Sequence, residues 1–126
     1  MIVNYPVGDF VIAVKNAVIA KKHNMTIRPT KLIVEVAQTL KRMGYLSEVQ
    51  TQTGKLVVAI TFKDKQPLMT GAKLISKPGV RIYWSFDELS SKRGPSNYIL
   101  STPKGVLSDR EAIKLNSGGE VIAEII

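Results

Sequence analysis

The chain is 126 residues long, 44 % hydrophobic and 22 % charged. That suits one domain, or two small lobes sharing an interface, and excludes wholesale disorder. With no cysteine and one histidine, His23, disulfides, thiolate chemistry and a histidine zinc site are excluded, and no metal or cofactor is expected. The charge is the outlier: 18 basic against 10 acidic residues, net +8. Both halves are basic, since residues 1–64 carry nine basic and four acidic side chains and residues 65–126 carry nine and six. A polyanionic partner is expected, RNA or DNA ahead of an anionic membrane surface. No apolar run approaches the roughly 18 residues of a membrane-spanning helix. The start MIVNYPVGDF carries no positive charge and reads as neither signal nor transit peptide.

In chain order, residues 6–20 have helical spacing in Val7, Phe10, Val11, Val14, Ala17 and Val18. Pro6 suits the first helical position and Asp9 the positive end of the dipole. So apolar a helix predicts burial on more than one side. A turn over Lys21–Asn24 leads to a short strand, Met25–Arg28. Residues 31–43 form the clearest helix, capped by Thr30, with Leu32, Val36, Leu40 and Met43 as its stripe, Ile33 and Ala37 beside it, and Gly44 as its stop. Two strands, Tyr45–Thr51 and Lys55–Phe62, flank Thr53-Gly54 and predict a hairpin. Lys63-Asp64-Lys65-Gln66-Pro67, polar and proline-bearing, reads as a linker. Beyond it, strands are expected at Lys73–Ser76, Arg81–Ser85, Tyr98–Thr102 and Glu120–Ile126. Pro78-Gly79, Gly94-Pro95, Pro103 and Gly118-Gly119 punctuate them. Ser108 and Glu111 have capping-box spacing ahead of a short helix to Leu115.

Three loops could carry chemistry. Ser101-Thr102-Pro103-Lys104-Gly105 offers two hydroxyls for base edges and ribose hydroxyls, a cation for phosphate, and a glycine for close approach. A plain Ser/Thr-Pro turn accounts for the same residues. Gly118-Gly119-Glu120 reads as a backbone approach to a ligand with an acceptor beside it, or as a tight turn with a solvated acid. Lys77 and Arg81 flank a Pro-Gly turn that would face phosphate or simply solvent. Tyr83 and Trp84 point to opposite faces of any strand containing them, so both are not core on a one-sided sheet; one could stack on a ribose or base, and packing is the commoner use of each. His23 reads as an exposed loop residue. Asp87, Glu88, Asp109 and Glu111 lack the neighbouring base, metal ligand or nucleophile that an enzyme would need.

The order of these features resembles bacterial-type small-subunit ribosomal protein eight over nearly the whole chain. The resemblance rests on Tyr5-Pro6-Val7, Pro29-Thr30-Lys31, Met43-Gly44-Tyr45, Lys77-Pro78-Gly79-Val80-Arg81-Ile82-Tyr83 and Asp87-Glu88-Leu89. Its most specific parts are the run from Ser101 to Ala112 and Gly118-Gly119-Glu120-Val121-Ile122. It implies an α+β fold, with an N-terminal α/β lobe over residues 1–64 and a β-rich RNA-binding lobe over 65–126. It implies a non-enzymatic constituent of the small subunit that binds the central domain of small-subunit ribosomal RNA and supports its assembly. It further implies neighbouring small-subunit proteins, protein five among them, as partners, and a cytoplasmic ribosome or an organellar one. The alternative it carries is a repressor of its own messenger RNA. The family's RNA-contacting positions map onto Ser101, Thr102, Lys104 and Gly105, onto Gly118, Gly119 and Glu120, and onto Lys31 and Tyr83. Lys77 and Arg81 join them as phosphate contacts.

Two departures alter the expectation. Pro103 stands where the family usually has a third hydroxyl, and it also lacks a backbone donor, so at least one RNA hydrogen bond is lost or replaced. The first helix has only Lys15 before Lys21, where the family usually carries arginines. That leaves Val11 or Ile12 to meet a protein neighbour instead.

Overall fold

The computed structural model describes residues 5–92 and 96–126, so the expected turn at Gly94-Pro95 lies outside the described residues. Helix α1 (Pro6–Ile19) buries Val7, Phe10, Val11, Val14, Ala17 and Val18, leaving a narrow exposed face with Asp9, Ile12 and Asn16. After strand β1 (Asn24–Ile27) comes helix α2 (Lys31–Arg42), whose cap Thr30 accepts the amide of Ile33 at 3.2 Å. Its buried seam is Ile33, Val36, Ala37 and Leu40, one residue round from the expected stripe, so Leu32 is exposed and Thr39 is fully buried. Both helices stop in the same way. The amides of Lys22 and Tyr45 reach back to the carbonyls of Ala17 and Leu40, with Lys21 and Gly44 at positive φ between. This ending satisfies carbonyls that the helix leaves unpaired.

Strands β2 (Leu46–Gln52) and β3 (Lys55–Ile60) form the expected hairpin and, with β1, an antiparallel sheet in the order β1–β3–β2. Thr53 and Gly54 both have positive φ, as a two-residue mirror-image turn demands. The predicted linker is also a hairpin, of β4 (Phe62–Lys63) and β5 (Gln66–Pro67). Its turn residues Asp64 and Lys65 take φ of 53° and 66°. The turn is made without the glycine that signals one in sequence, so polarity and proline read as a linker instead.

The second sheet is built on β10 (Gly119–Ile125). One flank pairs with β8 (Asn97–Thr102), which pairs in turn with β9 (Gly105–Ser108). The other flank pairs first with β6 (Ala72–Leu74) and then with β7 (Tyr83–Trp84). Ser76 is fully buried where the chain passes from β6 to β7. Its hydroxyl donates to the carbonyl of Val121 at 2.6 Å and accepts the amide of Ile82 at 3.0 Å. A register shift in β10 falls between Val121 and Ala123. The serine therefore supplies hydrogen bonds where the ladder is irregular.

Two elements here were not anticipated. Helix α3 (Phe86–Ser90) has a capping box of Ser85 and Glu88, so Ser85 ends no strand. Strand β9 turns the Ser101–Gly105 segment into a hairpin rather than a lead into the next helix, α4 (Asp109–Lys114). That helix has the expected Ser108–Glu111 capping box and ends with Asn116 at positive φ.

One apolar cluster joins α1, α2 and the first sheet to Ala72, Ile99, Val106, Ala123 and Ile125 of the second, so it draws on residues from both sides of position 64. Leu89, Leu100, Leu107, Ala112 and Val121 form a smaller cluster on the opposite face, beneath α3 and α4. The second sheet is thus covered on both faces over most of its length. At the ends of β7, β8 and β10, Tyr83 is exposed and Ser101, Thr102, Gly119 and Glu120 are half-buried.

Candidate nucleic-acid interface

Strand pairing brings most of the candidate residues together. Glu120 is paired with Ser101 on one side and with Tyr83 on the other. Directly paired residues share a sheet face, and strands lie roughly 4.8 Å apart. A hydroxyl, a carboxylate and a phenol therefore stand in a row about 10 Å long across β8, β10 and β7. Tyr83 is 66 % exposed. Its neighbour Trp84 faces the other way, packed edge-on against Tyr98 at 4.9 Å with the Lys92 ammonium 4.4 Å from its ring. Of the two aromatic rings, Tyr83 is the one free to stack.

Glu120 is already paired, since Arg81 Nη1 lies 3.2 Å from Glu120 Oε2. The Arg81 guanidinium also lies over the Tyr5 ring at 4.7 Å. The Tyr5 hydroxyl titrates above its ordinary value, raised first by burial and then by the Glu120 charge, against the lowering effect of Arg81. Tyr5 itself packs on Gly8, where a Cβ would come within 2.5 Å of Tyr5 Cδ2. This anchor beneath Arg81 was missed from sequence. The two residues are far apart in the chain, and Tyr5 had no signal beyond its place ahead of a helix.

The β8–β9 hairpin forms the neighbouring part of the surface. The Thr102 hydroxyl donates to the carbonyl of Gly105 at 2.8 Å and accepts the amide of Lys104 at 3.1 Å. Its proton is spent on the turn, and one acceptor lone pair remains. Gly105 takes φ of 113°, a region side chains disfavour. Pro103 and Lys104 are exposed at the tip. The Lys104 ammonium donates to the carbonyl of Leu115 at 2.7 Å, at the end of α4. A cation there complements the helix dipole.

The two glycines are required by the strands themselves. A Cβ on Gly119 would overlap the Ser101 carbonyl, and one on Gly118 would lie 2.8 Å from the Phe86 amide nitrogen. Both positions are tight because backbone crosses backbone there. Lys77 is exposed beside the Pro78-Gly79 turn and Lys31 on the first turn of α2. Neither forms an ion pair among the described residues, and no hydrogen bond ties either to the row of Ser101, Glu120 and Tyr83. His23 is exposed and stacked on Phe62 at 4.3 Å. Of the pair offered to a protein neighbour, Val11 is 3 % exposed and Ile12 44 %, so only Ile12 is available. No helix of the described residues is long and apolar enough to cross a membrane.

The family model for ribosomal protein S8 matches residues 5–126. The chain is 37 % identical over 131 residues to the small ribosomal subunit protein uS8 of Roseiflexus castenholzii, covering 99 % of each. It is 37 % identical over 132 residues to that of Chloroflexus aggregans, again covering 99 % of each. It is 33 % identical over 131 residues to that of Geobacillus stearothermophilus, covering 100 % of each. Those matches span every segment that builds the row of Ser101, Glu120 and Tyr83 and the hairpin beside it: the chain belongs to the ribosomal protein S8 family.

Proposed function

We propose that this chain is a non-enzymatic structural constituent of the small ribosomal subunit that binds the central domain of small-subunit ribosomal RNA and helps it assemble. The observation that carries the reading is the row of Ser101, Glu120 and Tyr83 beside the β8–β9 hairpin. It offers hydroxyl, carboxylate and aromatic groups within about 10 Å on one face, which suits unstacked bases and ribose hydroxyls better than a regular A-form groove. Lys31, Lys77 and Arg81 neutralise phosphate, with Lys104 at the hairpin tip. In this division of labour residues 65–126 recognise RNA, and residues 1–64 support them and meet neighbouring small-subunit proteins, protein five among them, through the α1 face that exposes Ile12 and Ile19. The protein works within the ribosome, of the cytoplasm or of an organelle. An RNA shape of the same kind in its own messenger would fit the same surface.

The test is a footprint on small-subunit ribosomal RNA combined with a salt titration. Protection is expected at one irregular site. If four to six phosphates are neutralised, log K falls with log salt at a slope of about −3 to −5. Equal affinity for any duplex, or a slope near zero, refutes the proposal.

A further inference from the structure

Away from the RNA-facing row, the chain places an arginine where it ties α2 to the hairpin. Arg42 closes a two-point contact with Glu111, Nε to Oε2 at 3.0 Å and Nη2 to Oε1 at 3.3 Å. The same Nη2 lies 3.1 Å from the hydroxyl of the fully buried Thr39 and 3.1 Å from the carbonyl of Val106. The Thr39 hydroxyl lies 3.1 Å from that carbonyl and 2.9 Å from the Glu35 carbonyl one turn back in α2, and its single proton is shared between the two acceptors. Val106 is paired with Ser101 in the β8–β9 hairpin, and β9 is the edge of its sheet. Glu111 also accepts the amide of Ser108 at 3.0 Å, closing the capping box at the other end of β9. One guanidinium and one carboxylate thus hold the hairpin's outer strand at Val106 and Ser108, from two different helices.

We infer that Arg42 and Glu111 are positioning residues for RNA recognition: they set the angle at which the hairpin presents Ser101, Thr102, Lys104 and Gly105, without touching RNA themselves. The inference rests on the proposed RNA-binding role of the hairpin. Four features carry it. An arginine fork fits a carboxylate at two points, which a lysine cannot copy. An outward carbonyl on an edge strand has no ladder partner, so Arg42 supplies the donor. Burial works to raise the Glu111 pKa, yet hydrogen bonds from Arg42 and Ser108 hold it below the ordinary carboxylate value. Finally, only Pro103 and Lys104 lie outside the paired strands, so their direction follows from what holds the strands beneath them together with the Lys104 bond to the Leu115 carbonyl on α4.

The alternative is that Arg42 is one more phosphate contact, and three variants separate the two. Affinity for small-subunit ribosomal RNA is measured for Arg42→Lys, Glu111→Gln and the double variant, each with its salt slope, and each is checked for folding by circular dichroism. Positioning predicts that each single change weakens binding by about five- to tenfold, within the range for coupling through a packed network. The salt slope stays unchanged, and the double variant is no weaker than either single one. Phosphate contact predicts that Arg42→Lys retains affinity, and loss of repulsion predicts that Glu111→Gln binds more tightly; either result overturns the inference. Hydrogen exchange on the free protein reads the grip directly, since amides of β8 and β9 should exchange faster in both single variants while those of β1–β3 do not change. Unchanged exchange in the hairpin overturns the inference whatever the RNA does. If the unaltered protein shows no preference for this RNA while the exchange effect is present, the proposed function fails and the grip stands.

Discussion

Thr102→Val tests what the hairpin hydroxyl is for. Valine keeps the shape and removes both turn hydrogen bonds, the donation to Gly105 at 2.8 Å and the acceptance from Lys104 at 3.1 Å. Each is worth about 0.5–1.5 kcal/mol net. Thr102 is only half-buried, so water reaches some of the freed groups and the total should be near 1–2 kcal/mol. At this chain length, a loss of that size lowers Tm by about 4–8 °C. RNA affinity should fall as well, because a looser turn presents Lys104 and Gly105 in more than one way. Thr102→Ser keeps the hydroxyl and loses only the methyl that lies against Gly119, so it should recover most of the Tm. The measurements are thermal unfolding and RNA affinity on the same preparations. A valine variant with the parental Tm and a tenfold loss of affinity would refute the reasoning, since the hydroxyl would then be spent on RNA and not on the turn.

Tyr83→Ala should cost about 1–3 kcal/mol of RNA affinity, as loss of a base-stacking ring does, with no change in the unfolding midpoint because the ring is 66 % exposed; an unchanged affinity removes Tyr83 from the interface. Glu120→Gln breaks the pair with Arg81 at 3.2 Å. Specific RNA binding should weaken by about 1.5–3 kcal/mol if the carboxylate accepts a bond in the complex, while affinity for generic duplex RNA stays level or rises; tighter binding to both returns Glu120 to the role of a solvated acid. The lowered pKa of Glu111 adds stability that is full above the ordinary carboxylate value and is lost as pH falls through the lowered one. A Glu111→Gln variant should therefore lose less Tm than the parent below about pH 4.5, and parallel pH profiles would exclude the linkage.

Helices α1, α2 and α4 and the first hairpin were legible because their signals are local. Pro6, Thr30, Gly44, Thr53-Gly54 and the Ser108–Glu111 spacing each act within four residues of themselves. What was not legible depends on partners far along the chain. Leu32 belongs to the expected stripe of α2, and only the position of the second sheet favours the flank of Ile33 and Ala37 over it and buries Thr39. Strand β9 has four residues and no alternation of its own, since Val106 and Leu107 are both buried, one in each cluster. A strand covered on both faces leaves no period to read. The same holds for the interface. The residue types at Ser101–Gly105 and Gly118–Glu120 are visible in sequence. That Glu120 lies between Ser101 and Tyr83, or that Gly119 must be bare beneath the Ser101 carbonyl, follows only from strand pairing.

The pairing also changes what the net charge of +8 can be doing. Within the row of Ser101, Glu120 and Tyr83, the charge of Arg81 is offset by Glu120, and the Lys104 ammonium already donates to a helix-end carbonyl. The row itself is thus close to neutral, while Lys31, Lys77 and Lys104 carry their charges exposed around it. In the proposed reading, long-range attraction comes from charges around the face, and discrimination comes from short-range hydrogen bonds and stacking on it. A neutral face suits this division. Cations packed densely there would hold any duplex by its phosphates and reduce the difference between the right RNA shape and a wrong one. The two sets of residues should therefore answer different measurements: neutralising Lys31 or Lys77 lowers affinity for all RNAs together and flattens the salt slope, whereas changes in the row alter the ratio between RNAs and leave that slope alone.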